Sequence, residues 1–99
     1  MEYKIMKPGT LVKCKQSILV DYFDNVERLK VFYCKLESLS REEKDEYVWP
    51  DMKHTKQNDT FLYLEEIKDP NNYKWFICYS MMDKYYVAFF NNETEEVEL

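Results

Sequence analysis

The sequence predicts a mainly β domain of five or six short antiparallel strands with one short helix outside them. Three observations carry that expectation. Residues 73–80 and 84–91 are two aromatic-rich runs joined only by Met81, Met82 and Asp83. Aromatic and β-branched side chains fit a pleated surface, so this is the signature of a β-hairpin. Residues 61–67, Phe-Leu-Tyr-Leu-Glu-Glu-Ile, add a third strand of the same kind. Helix start signals occur at one place alone, Ser40, with Glu43 three residues later in the capping-box spacing.

The remaining elements follow in order. Lys7-Pro8-Gly9-Thr10 is a turn and holds the only glycine of the chain. One strand or two short ones are expected across residues 10–22. Asp21-Tyr22-Phe23-Asp24-Asn25 then supplies a turn, because Asp and Asn side chains bond their own backbone. Residues 27–37 alternate, with Leu29, Val31 and Tyr33 on one face and Phe32, Cys34 and Leu36 on the other, which predicts a strand. The helix is expected over residues 41–48, closed by Pro50, which forces Trp49 towards extended geometry. Its apolar grip is confined to Tyr47, Val48 and Trp49. Residues 51–59 have no periodicity and read as an exposed loop. Asp69-Pro70-Asn71-Asn72 fits a turn with Asp first and Pro second. A short final strand is expected at residues 95–98.

The aromatic hairpin is apolar on both faces, where a hairpin with one wet face would alternate. It therefore sits between two layers or presents rings to a partner. From Asp59 onward the order is strand, turn, Trp-containing strand, tight turn, strand, short acidic tail. That order resembles SH3-like small barrels, with residues 7–15 able to supply a first strand. The resemblance implies a small barrel; it implies no proline-peptide ligand. The chain departs from it in lacking short-loop glycines and in carrying a helical insertion at residues 40–50. The alternative is an α+β sheet with the helix packed across one face.

Ninety-nine residues make a single domain with one modest core. An aromatic content of 17% opposes disorder even with 33% charged residues. No run approaches the ~20 apolar residues of a membrane-spanning helix, and the first residues lack the apolar run of a secretory signal. A soluble, cytoplasmic protein is expected. Cys14, Cys34 and Cys78 are odd in number and far apart, which suits reduced structural thiols better than a disulfide framework.

The net charge of −5 is unevenly spread. Residues 1–58 hold 11 basic and 10 acidic side chains, whereas residues 59–99 hold 3 basic and 9 acidic. Phosphate binding needs a basic field, so the balance opposes nucleic acid. An acidic half suits a basic protein surface; otherwise it only keeps a tyrosine-rich surface in solution.

Catalytic constellations are not legible. Zinc would have to use His54 with the three cysteines, and no two of these lie two to four residues apart. A cysteine nucleophile would depend on His54, which lies in a polar stretch. Glu65-Glu66 and Glu95-Glu96 are adjacent, so on strands they point to opposite faces. A single glycine cannot build a phosphate cradle. No catalytic, cofactor or metal site is expected. Stacking of single-stranded bases on Tyr73, Trp75, Tyr79, Tyr85 and Phe89, beside Lys74 and Lys84, is an alternative, with core packing as the competing role for the same rings.

An aromatic interface has more support. Two adjacent methionines at a hairpin tip cannot easily both point inward, and tips normally carry Gly, Asn or Asp. The expected partner-binding residues are Tyr79, Met81, Met82, Asp83, Tyr85 and Tyr86 at the tip, with Glu93, Glu95 and Glu96 in the acidic tail. Gly and Ala occur once each and Arg twice, a bias that suggests an AT-rich gene. Small size, acidity and this bias together resemble phage or mobile-element inhibitors, including anti-CRISPR and other anti-defence proteins. The resemblance implies steric occlusion of a partner protein. Alternatives are a small immunity or antitoxin-like protein, a single-strand-binding barrel, and a homo-oligomeric phage structural component or homo-dimer.

Overall fold

The computed structural model describes residues 6–97. The reading of residues 1–5 as free of a secretory signal, and the end of the last expected strand at Glu98, lie outside them. Among the described residues there are seven strands: β1 Leu11–Cys14, β2 Leu19–Phe23, β3 Asp51–His54, β4 Thr60–Lys68, β5 Lys74–Ser80, β6 Tyr85–Phe89 and β7 Thr94–Glu96. They form one antiparallel sheet in the order β3-β2-β6-β5-β4-β1-β7. The mainly β class with a short helix holds. The neighbours β7, β1, β4, β5 and β6 follow the element order that the sequence predicts for the C-terminal half and a first strand from residues 7–15.

The sheet is strongly curled. Between the end of β6 and the start of β7 lie residues 90–93, and five Cα steps reach at most about 18 Å. On a flat sheet β7 would stand four strand spacings from β6, roughly 19 Å, with no allowance for the turn. Yet the link is folded: Glu93 N donates to Phe90 O at 3.0 Å and Phe90 N to Glu93 Oε1 at 2.7 Å. Thr55, just past β3, makes the same point. Its N–H donates to Ile18 O beside β2, and its side chain bonds the Cys14 thiol of β1, although β6, β5 and β4 stand between β2 and β1 in sheet order.

Curling turns one face of the sheet into the main core. Val12, Cys14, Phe61, Tyr63, Phe76, Cys78, Tyr85, Val87 and Phe89 are buried there. Phe76, Cys78, Tyr85, Val87 and Phe89 are alternate residues of β5 and β6, as a period of two requires. The opposite face of the same strands, through Trp75, Ile77, Tyr86 and Ala88, packs under a helix. The hairpin is thus apolar on both sides because it lies between two layers.

The helix over that face corrects the strand expected at residues 27–37. α1, Val26–Lys30, runs on without a break through a π turn, Val31–Lys35, and a 3-10 turn, Leu36–Ser38. Asn25 caps it, its side chain accepting from Arg28 N at 2.8 Å. The alternating pattern also contains a helical stripe, Val26, Leu29, Phe32 or Tyr33, and Leu36, and the cap selects that period. The π turn presents both Phe32 and Tyr33 to the sheet, 5.5 and 6.2 Å from Phe23 between ring centroids. Lys30 of α1 and Glu65 of β4 pair at 2.7 Å across the two layers.

The capping box at Ser40 and Glu43 forms as expected, and α2 spans Arg41–Glu46. It ends two residues earlier than expected, because Tyr47 is already extended. The expected exposed loop at residues 51–59 is corrected at its start: residues 51–54 form β3, pairing with β2 from Leu19↔His54 to Tyr22↔Asp51. Polar composition hid it, since an edge strand needs no buried face. The turn at Asp69 closes as expected, with Asn72 N donating to Asp69 O at 2.9 Å.

Candidate functional site

Ser80 and Tyr85 are paired in the sheet, so the hairpin loop is residues 81–84. Lys84 N donates to Ser80 O at 2.7 Å, and Asp83 N to Ser80 Oγ at 3.2 Å. The left-handed position falls on Lys84, φ 57°. The methionines are relieved of it, which is why this tip can carry Met-Met in place of Asn-Gly. Met82 is 92% exposed and Met81 half exposed.

The tip is anchored sideways to β3. Lys53 Nζ lies 3.3 Å from Asp83 Oδ2 and 4.6 Å from the centre of the Tyr85 ring. Tyr85 in turn meets Tyr22 edge-on at 5.3 Å. A groove of about 620 Å³ runs beside this contact. Asp83, Lys84 and Tyr85 form one wall, and Val48, Trp49 and Asp51 the other. Val48 and Trp49 are 64% and 60% exposed.

The second wall is held from α1. Arg28 pairs with Asp24, and its Nη2 donates to Val48 O at 2.7 Å. Tyr47 donates its hydroxyl to Arg28 O at 3.0 Å. Trp49 packs edge-on against Tyr47 and Phe32, at 5.7 and 6.2 Å. Pro50 keeps the segment extended, so Val48 and Trp49 stand out from the surface instead of folding under α2. The groove is thus lined by the exposed Val48 and Trp49 together with three cations and three carboxylates (Arg28, Lys53, Lys84; Asp24, Asp51, Asp83). Met82 lines a separate cleft with Asn58, Asp59 and Phe61 that shares Asp83 and Tyr85 with the groove.

The expected partner-binding residues divide. Met81, Met82 and Asp83 occupy the exposed tip. Tyr79 and Tyr86 are half-buried on the helix-covered side of the sheet, 4.8 Å apart. Tyr85 is corrected: at 6% exposure it belongs to the core, where burial first, then the nearby Asp83 and Asp59 carboxylates, push its hydroxyl up to about 12. Glu93 caps the turn after β6, and Glu95 pairs with Lys13 at 3.6 Å. Glu96 is exposed on β7, and neither it nor Glu95 lines the groove.

Of the rings considered for base stacking, Tyr85 and Phe89 are buried and Trp75 is stacked on Phe90 at 3.9 Å. Cys14 and Cys78 lie in the main core, while Cys34 is on the helix, its thiol donating to Lys68 O at 3.4 Å. His54 is exposed on β3. Among the described residues, no three His, Cys, Asp or Glu side chains gather to hold a metal ion. No helix among them is long and apolar enough to cross a membrane.

Sequence reasoning missed Arg28, Val48, Trp49 and Lys53. The signal for two of them was present: an apolar pair ahead of Pro50, past a helix too polar to bury it. Comparison of the chain with protein-family models, with curated proteins and with solved structures finds no match.

Proposed function

We propose that this chain is a small acidic, non-enzymatic protein-binding module that occludes a surface of another protein. The observation that carries this reading is the exposure of Met82 at the hairpin tip, next in the chain to Asp83 of a groove that the exposed Val48 and Trp49 also line. Large apolar side chains left in water cost free energy unless a partner covers them, and Met and Trp are favoured anchors where proteins meet. The thioethers adapt to a partner's shape, and the indole fills a pocket at low entropic cost. Charges lining the groove fix orientation, and the net charge of −5 steers the encounter towards a basic surface. Within this class, composition favours an inhibitor carried by a phage or other mobile element, of the anti-defence kind.

The test is affinity capture from host lysate, followed by titration of the purified captured protein against variants. Met82→Asp and Trp49→Ala should each weaken binding at least about tenfold, equivalent to ~1.4 kcal/mol. Unchanged affinity in both would remove the tip and its groove as the docking site.

A further inference from the structure

The geometry points to a second interaction surface, the open edge of β3, and to its occupant: another copy of this chain, paired antiparallel about Met52. Among the described residues β3 ends the sheet, bonded to β2 on one side only. Thr55 N–H bonds to Ile18 O across that pair. Antiparallel bonding alternates along a strand, so Lys53 and Asp51 also turn their backbone groups towards β2. Those of Met52 and His54 then face outward, as an unpaired row of donors and acceptors.

Exposed edges are usually blunted, and β3 has two of the common devices: it is short, and it carries a lysine. What sets it apart is that its side chains complement one another. A two-fold axis perpendicular to the sheet keeps each face continuous, which requires cross-strand partners from the same face. Pairing about Met52 meets that requirement. It sets Met52 opposite Met52 in the outward-bonding register, each N–H donating to the other's carbonyl. His54 N–H of one copy then reaches the Pro50 carbonyl of the other, and proline has no donor to strand there. On the concave face Asp51 stands opposite Lys53 of the second copy, twice by symmetry. On the other face the exposed Met52 pair meets, with Asp21 opposite each Met52 on β2 and the exposed Leu19 diagonal to it, opposite His54.

The neighbouring symmetric register, about Lys53, would bring two ammonium groups face to face, and like charges directly opposite are destabilising. Charge thus selects one register. Because Asp51 and Lys53 also line the groove, the grooves of the two copies adjoin, and Asp51 of each copy reaches the Lys53 of the other. This inference stands apart from the proposed function, since a monomer could still dock through Met82.

Sedimentation velocity across roughly 10 µM to 1 mM, the range of weak association, should show mass rising towards twice 12.2 kDa. Amide exchange of Met52 and His54 should slow over the same range. Asp51→Lys and Lys53→Asp should each be monomeric alone, through repulsion at both contacts, and their equimolar mixture should dimerise. Should those variants lose their fold by circular dichroism, Met52→Pro, which deletes an outward N–H, must abolish the dimer. A wild-type chain still monomeric at the highest concentration overturns the inference. So do charge variants that dimerise alone as the wild type does, or a folded mixture that stays monomeric.

Discussion

Phe61 on β4 and Phe89 on β6 meet with ring centres 5.0 Å apart, although β5 lies between their strands. Only a sheet curled upon itself brings them together, and the pair closes the main core inside that curl. Phe89→Ala should therefore cost about 3–5 kcal/mol, as for a ring deleted from a well-packed site. Against a total of roughly 5–15 kcal/mol for such a domain, that is a large share. Urea denaturation, followed by the shift of its midpoint, measures it.

Met82 and Tyr85 are three residues apart and should behave oppositely. Met82→Asp, at an open position, should change stability by no more than about 0.5 kcal/mol. Tyr85→Ala should cost about 3 kcal/mol or more, by the same deletion of a buried ring. The sequence treats both as binding residues; thermal denaturation of the two variants separates them.

Two helix caps of similar chemistry should give different readouts. Asn25 caps the helix whose Leu29, Phe32 and Tyr33 pack on the sheet, so Asn25→Ala should lower global stability by about 1 kcal/mol. Ser40 caps α2, which buries no residue. Ser40→Ala should speed amide exchange at residues 43–46 while moving the urea midpoint little, because α2 can fray without opening the core.

Alkaline pH should unfold the protein through its tyrosines. The Tyr85 hydroxyl stands at about 12 in the fold against an ordinary 10. A raised value means the folded state keeps its proton longer than the unfolded one. The associated stability is complete below pH 10 and is lost as pH rises through 12. Tyr33, Tyr47 and Tyr63 shift in the same direction, chiefly through burial. Tyr85→Phe should move the alkaline unfolding midpoint to higher pH, read by circular dichroism, and absorbance near the phenolate band should rise together with unfolding.

Thiol reactivity should distinguish the cysteines. All three are free, with Cys14 and Cys78 buried and Cys34 partly accessible. A disulfide reagent should modify Cys34 alone in the native state, and slowly, since burial raises its pKa and lowers its thiolate fraction. The other two should react only on unfolding. Rapid modification of Cys78 would contradict the sealed core.

Local chemistry was legible from residues near one another in sequence. Ser40 with Glu43, Asp69 with Asn72, and the aromatic and β-branched runs of β5 and β6 are choices made within a few residues, so the chain alone determined the β class, the Ser40 cap, the Asp69 turn and the exposed methionine tip. Residues 26–38 show where this stops: their pattern fits both a strand and a helix, and the Asn25 cap together with packing on Trp75 and Ile77 of the distant β5 decided between them. β3 was hidden for the same reason, as an edge strand gains its pairing from β2 and not from any burial its own side chains announce. The groove needed still more, because Arg28, Trp49 with Lys53, and Asp83 come from three segments that adjoin only once β2 has paired with both β3 and β6. Sequence fixes what a few neighbouring bonds can choose; long-range packing, which alone repays the closing of the intervening loops, chooses the rest.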